Sequence, residues 1–165
     1  MEQISFNAEE LKELEAIKSR YPNQQAALMP ALWMAQKKFG WLSDEVQQYV
    51  ADLFNLPVNH VKGVATFYTM YLKKPAGKYH VQVCTNVSCM IRGGERLLEK
   101  ASEKLNISHG ETTPDGKFSL EEVECMGACG GAPMIAVGED YYENYSVERL
   151  EALLEELRNK EDRAS

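Results

Sequence analysis

Cys84 and Cys89 make one close pair, Cys125 and Cys129 another, and these four are all the thiols in the chain. The first pair reads Cys-Thr-Asn-Val-Ser-Cys, with four residues between the cysteines, and the second Cys-Met-Gly-Ala-Cys, with three. Paired thiols at such spacing point to a bound inorganic centre, because thiolates are soft ligands for iron and zinc. A bridged two-iron cluster needs two thiolates on each iron, which two pairs would supply. Zinc accepts four thiolates as well, but structural zinc sites usually draw on knuckles with two residues between ligands, and both spacings here are longer. Redox-active thiols are a third reading, although the Cys-x-x-Cys of thioredoxins is absent. Spacing alone leaves all three open, with iron–sulfur first. Gly127, Ala128, Gly130, Gly131 and Ala132 crowd the second pair, and residues this small let backbone N–H groups approach a cluster closely.

No histidine lies inside either motif, so an iron–sulfur centre here is expected to be all-thiolate and of low potential rather than Rieske-like. By formal counting, two ferric ions, two sulfides and four thiolates leave about two negative charges, rising by one on reduction. The groups expected to stabilise that charge are the backbone N–H groups of the glycine-rich loop, the start of the helix after Cys89, and Arg92 as the nearest fixed cation. Replacing Arg92 by a neutral residue is then expected to lower the reduction potential.

At 165 residues the chain is long enough for one or two domains whose cores need no disulfide staples. Met1 to Phe6 include Glu2 and no long apolar run, so neither a secretory signal nor an Arg-rich transit peptide is read. No stretch of about eighteen apolar residues is present to span a bilayer. The expected compartment is a reducing cytoplasm, where paired cysteines are more often metal ligands or redox groups than disulfides. A net charge of −7 argues against nucleic acid as the main partner.

The elements that must position the cysteines change character near Lys73 to Lys78, where Lys-Lys-Pro-Ala-Gly-Lys breaks the apolar pattern. A domain boundary is read there, giving a helical domain over residues 1–76, a second domain over 77–160 and a C-terminal tail over 161–165. In the first, Asn7 caps a helix carrying Leu11, Leu14 and Ile17. A second helix covers Ala27 to Phe39, with Pro30 in its first turn and Gly40 closing it. Ser43 caps a third through Val46, Val50, Leu53 and Phe54, and Pro57 suits the first position of a fourth through Val61 and Val64.

Beyond the boundary, Tyr79, Val81 and Val83 alternate with polar residues as in a strand, and Cys84 follows at its end. A helix is expected from about Arg92 to Leu105, and a second strand from Phe118 to Glu124 with Cys125 just past it. Strand, helix and strand in that order put the two strands parallel. Met134 to Val137 and Tyr141 to Tyr145, split by Gly138-Glu139-Asp140, read as a hairpin. A last helix runs from its cap Ser146 through Leu150, Leu153, Leu154 and Leu157. This order is that of a thioredoxin-like sheet lacking its middle helix. Both cysteine pairs then leave one edge of one sheet, and loops beyond the carboxyl ends of parallel strands are where open α/β sheets hold ligands.

The runs Val64-Ala-Thr-Phe-Tyr-Thr-Met-Tyr71 and Gly77-Lys-Tyr-His-Val-Gln-Val-Cys84 are long and specific, as is Glu124-Cys-Met-Gly-Ala-Cys129 through Ala132-Pro-Met134 to Tyr141-Tyr142. They resemble the thioredoxin-like 2Fe-2S subunit of respiratory NADH:quinone oxidoreductase, complex I, from about Asn7 to Glu156. The resemblance implies an α+β fold, an N-terminal helical bundle followed by a thioredoxin-like α/β domain carrying a 2Fe-2S cluster. It implies that Cys84, Cys89, Cys125 and Cys129 bind one 2Fe-2S cluster. FMN and NADH are implied on a partner flavoprotein subunit, which does the hydride chemistry, so this chain is expected to be an electron-transfer subunit without a complete active site. The implied setting is the cytoplasmic, peripheral arm of a membrane-bound complex, with no direct membrane insertion. Family members often carry a proline just before the second cysteine, where this chain has Ser88, a departure that bears on loop rigidity and not on ligation.

Two alternatives stand beside that reading: the corresponding 2Fe-2S subunit of an NAD-linked hydrogenase or formate dehydrogenase, and a structural zinc module. Among other residues, His80 is read as a packed strand residue, and His60 and His109 as solvent-facing. Phe67, Tyr68 and Tyr71 are read as part core and part contact with the flavoprotein. The acidic stretch Glu148 to Glu161 is taken as the wet face of the last helix. Pro133 stands before a strand as the cis-proline of thioredoxin-like folds does, so a cis bond at Ala132-Pro133 is expected.

Overall fold

The computed structural model describes residues 4–160; the expected tail 161–165, and with it Glu161, lies outside the described residues. The chain divides into two compact units between Pro75 and Ala76. The first is helical. Helix α1 (Ala8–Lys18) opens with a capping box in which Asn7 and Glu10 satisfy each other's backbone N–H groups. A single 3-10 turn (Gln25–Ala27) leads into α2 (Leu28–Phe39), where Pro30 occupies the third position and Gly40, at φ +80°, ends the helix. Helix α3 (Asp44–Phe54) starts at Ser43, whose hydroxyl accepts from Val46 N–H. Pro57 proves to be the cap of α4 (Val58–Phe67) rather than its first residue, a shift of one position within the reach of its fixed φ.

These helices bury Leu14, Leu28, Leu32, Val50, Phe54, Val61 and Tyr71 in one core, each such side chain stabilising by about 1.5–3 kcal/mol on burial. Gln36 ties the segment after α4 to this core: its side chain donates to Met70 O at 3.0 Å and accepts from Leu72 N–H at 2.6 Å. The Tyr71 hydroxyl donates to Met29 O at 2.8 Å.

The second unit is built on a four-stranded sheet in the order β2-β1-β3-β4. Its strands are β1 (Tyr79–Cys84), β2 (Phe118–Val123), β3 (Ile135–Val137) and β4 (Asp140–Tyr142). Strands β1 and β2 run parallel, with Tyr79 opposite Phe118 and Cys84 opposite Val123, while β3 is antiparallel to β1 and to β4. The expected thioredoxin-like order of strands and helices is therefore present. The helix expected from Arg92 to Leu105 is two helices, a short α5 (Val87–Ile91) and α6 (Gly94–Leu105). Gly93, at φ +98°, breaks them in a conformation open to glycine. The β3–β4 turn is Gly138-Glu139, with Asp140 already in the strand.

Helix α7 (Val147–Asn159) is capped by Ser146, whose hydroxyl accepts from Arg149 N–H. Leu97, Ala101 and Leu105 of α6 and Leu150, Leu153, Leu154 and Leu157 of α7 pack with Val81, Val83, Phe118, Leu120 and Ile135 of the sheet. Period 2 in the strands and period 3.6 in the helices thus meet in one core. The acidic residues Glu148, Glu155 and Glu156 lie on the exposed side of α7. The Ala132-Pro133 bond is cis, as expected.

Candidate metal centre

Because β1 and β2 are parallel and in register to their last residues, Cys84 and the segment Glu124-Cys125 leave the same end of the sheet. Asn86 then caps α5, its side chain accepting from Val87 N–H at 2.7 Å, and the helix carries Cys89, which packs with Cys84. Cys84 and Cys89 are 3% and 2% exposed and form a small apolar cluster with Ala132 and Met134, against which Met126 and Ala128 pack. Cys125 and Cys129 are exposed, and all four thiols are free of disulfides. The second loop turns at Gly127, φ +75°, whose N–H donates to Cys125 Sγ at 3.3 Å. Cys129 opens a 3-10 turn (Cys129–Gly131) closed by Gly131 N–H to Ala128 O at 3.0 Å.

The electrostatics of Cys89 report who its neighbours are. Burial pushes its thiol up to about 11; its hydrogen bond with Cys84 and the charges of Cys84 and Cys129 act in the same direction, while a hydrogen bond with the Met134 backbone opposes them. Cys84 and Cys129 therefore both lie near enough to act on Cys89, and the fourth cysteine, Cys125, leaves the same sheet end. Among the described residues no three His, Cys, Asp or Glu side chains close round a single ion. A buried pair and an exposed pair on two loops suit a two-iron centre, which takes two thiolates on each iron, better than one tetrahedral ion. Cβ positions at Gly127 and Gly130 would meet nothing within 4 Å, so the second loop leaves open space at these two glycines. The donor set and this space fit a 2Fe-2S group.

The other predicted residues are placed as follows. Arg92, directly after α5, donates its Nε–H to Ala132 O at 2.6 Å. His80 lies on the sheet with its ring nitrogens 2.7 Å from Ser119 Oγ and 2.9 Å from Glu121 Oε2, a packed strand residue as expected. His60 is exposed; His109 is exposed too, but its Nδ1 accepts from Glu122 N–H at 2.8 Å. Ser88 is half-buried within α5.

Sequence reasoning missed two contributors to the site. Gly94, first residue of α6, lies so close to both cysteines of the first pair that a Cβ there would stand 2.6 Å from Cys84 O and 3.0 Å from Cys89 C. Met134 packs with Cys84 and Cys89, and its carbonyl accepts from Cys84 N–H at 3.3 Å. The Gly93-Gly94 doublet inside a helical pattern was the visible signal for the first; Met134 was legible only as part of a motif run and the start of a strand, and its contact with Cys84 has no local signal.

The sequence profile described as "Thioredoxin-like [2Fe-2S] ferredoxin" matches residues 14–158. The chain belongs to that family. Among its relatives, an NADH-quinone oxidoreductase subunit from Rhizobium meliloti (strain 1021) is 47% identical over 150 residues, 91% of this chain and 89% of that protein. The corresponding NADH-quinone oxidoreductase subunit from Rickettsia bellii (strain RML369-C) is 42% identical over 159 residues, 94% of this chain and 95% of that one. Among solved structures, an NAD+-reducing [NiFe]-hydrogenase in the H2-reduced state superposes with a TM-score of 0.70 at 21% identity. That match covers 79% of this chain, which spans 22% of the hydrogenase chain's length, and it is a likeness of fold.

Proposed function

We propose that this chain is the electron-transfer subunit of an NADH-quinone oxidoreductase, holding one 2Fe-2S cluster through Cys84, Cys89, Cys125 and Cys129. The observation that carries the reading is the union of two facts. Both cysteine pairs leave one end of the parallel β1–β2 ladder, and the family match and the near full-length relatives cover both pairs. When bound, the cluster supplies reversible one-electron chemistry that no amino-acid side chain offers at low potential. The residues around it do the rest. Cys84 and Cys89 anchor it in a dry pocket closed by Ala132 and Met134. Cys125 and Cys129 face outward, where an electron can enter or leave and where water and the Gly127 N–H stabilise negative charge on sulfur.

The electron partner is a flavoprotein subunit carrying FMN and the NADH site, and hydride chemistry belongs to it. Phe67 at 77% exposure, with Tyr68 and Met70 beside it, is the part of the aromatic run available to that partner, while Tyr71 is wholly buried. Among the described residues no helix is long and apolar enough to cross a membrane; in this reading the chain joins the peripheral arm on the cytoplasmic side through its partners. The hydrogenase likeness, being one of fold, leaves NADH-quinone oxidoreductase as the assignment; copurifying subunits decide between them.

Iron and sulfide analysis of the anaerobically purified chain should give about two of each, with a reduced-state paramagnetic signal of a 2Fe-2S cluster. Each Cys→Ser variant at the four positions should lose or distort that signal. A colourless protein with one zinc, or a normal spectrum in any one serine variant, overturns the ligand assignment.

A further inference from the structure

Four consecutive carbonyls follow the second cysteine pair, and each is held. Gly131 O accepts from Asn144 N–H at 2.6 Å, Pro133 O from Tyr145 N–H at 2.9 Å, and Met134 O from Cys84 N–H at 3.3 Å. Those three bonds come from backbone. The Ala132 carbonyl, on a residue 1% exposed, is held instead by a side chain, the Nε–H of Arg92 at 2.6 Å. Arg92 stands three residues beyond Cys89, and Ala132 three residues beyond Cys129. One hydrogen bond therefore joins the end of the helix bearing one cysteine to the turn bearing another, across 40 residues of sequence.

We infer that Arg92 is a positioning residue, whose Nε–H clasps the Cys129 turn to the Cys89 helix and so sets the spacing of the two cysteine loops. The inference rests on the reading that both loops ligate one cluster, and it assigns Arg92 a geometric role where its charge alone would suggest an electrostatic one. Two features of the site favour geometry. The bond uses Nε, the donor fixed inside the guanidinium plane. Its acceptor is the carbonyl of a residue only 1% exposed, and among the described residues no other hydrogen bond reaches it, so losing the Nε–H leaves it without a protein donor. Lysine at this position keeps the positive charge but has carbon where arginine has Nε, so the two roles separate in one substitution.

The test compares Arg92→Lys and Arg92→Gln in the full chain by amide hydrogen exchange, first without metal and then with the cluster loaded. Both variants should speed exchange at the Gly131, Ala132 and Asn144 amides by about 10- to 100-fold, as loss of one charged-donor hydrogen bond implies. The β1 amides of Val81 and Val83 should be unchanged. In loaded protein both should also move the reduced-state g-values, because the ligand loops shift. Wild-type exchange and g-values in Arg92→Lys, with changes in Arg92→Gln only, would mean that charge suffices and overturn the assignment. Unchanged exchange in both would do so as well, and so would acceleration that spreads to β1. If the chain proves to bind no iron, the cluster reading fails while the metal-free exchange still decides whether the clasp exists.

Discussion

Replacing Gly94 by alanine sets two known effects against each other at the metal centre. Alanine is the better helix former by about 1 kcal/mol in a helix interior, and less than that at the first residue of α6, where Gly94 sits. Against this, the new Cβ would stand 2.6 Å from Cys84 O, about 0.4 Å inside the 3.0 Å that Cβ atoms keep, and 3.0 Å from Cys89 C and O. All of these are backbone atoms, so no flexible side chain can swing away. Overpacking of that kind costs about 1–3 kcal/mol, and the clash outweighs the propensity. The net loss of roughly 1–2 kcal/mol lowers the melting temperature of a unit this size by about 4–16 °C. Far-UV circular dichroism melts of the metal-free chain measure it without any contribution from a bound cluster. A melting temperature equal to or above wild type would show that α6 does not pack on Cys84 and Cys89 as described.

Gly63 gives the opposite sign. It lies inside α4 with nothing within 4 Å of its Cβ position, so Gly63→Ala should stabilise by about 0.5–1 kcal/mol, read by the same melts. Burial pushes the Tyr71 phenol up to about 12, so the fold favours the neutral form. Its contribution is present in full below pH 10 and is lost as pH rises from 10 through about 12. Tyr71→Phe should flatten that alkaline decline in denaturant titrations, while costing about 0.5–1.5 kcal/mol at neutral pH for the lost bond to Met29 O. The hydrogen bond from His80 holds the Glu121 carboxyl below its ordinary 4.5, with Gln82 adding to it and burial opposing. The stability from this group is present above pH 4.5 and is lost as pH falls through the lowered value. Glu121→Gln should reduce the steepness of acid unfolding, and an unchanged acid limb would remove the His80–Glu121 pair from the account.

What could be read from the sequence was what depends on local chemistry. Asn7, Ser43 and Ser146 mark helix starts because each side chain satisfies an N–H within three residues. The apolar alternation of Tyr79 to Val83 sets the face of β1 that meets the helices. Parallel pairing of β1 with β2 followed from the order strand, helix, strand, and with it came the shared end for both cysteine pairs. What escaped depends on close approach between distant residues. The α5–α6 break lies at a doublet where Gly93 takes a positive φ and Gly94 makes room for Cys84, a need invisible in periodicity. The bond from Arg92 Nε to Ala132 O and the seating of Met134 against Cys84 are tertiary, set by how the hairpin returns against the first loop. Nor does residue type show that one cysteine pair is buried and the other exposed.

That inequality has a chemical consequence in the metal-free chain. The thiolate is the reactive form of cysteine, and a thiol raised from 9.0 to about 11 holds about a hundredfold less of it at a given pH. Cys89 is also 2% exposed and Cys84 3%, so an alkylating reagent reaches neither without local opening. Cys125 and Cys129 are open to solvent. Brief treatment with iodoacetamide at pH 8, read by peptide mass spectrometry, should label Cys125 and Cys129 first and Cys89 well after them. Metal must displace protons from its thiol ligands, so loading the cluster should protect all four and release protons from the buried pair. Equal labelling of Cys89 and Cys125 in the metal-free chain would mean that the first pair is not held in the dry pocket with Ala132 and Met134. The anchoring role given to it would then fail, even if all four cysteines proved to be ligands.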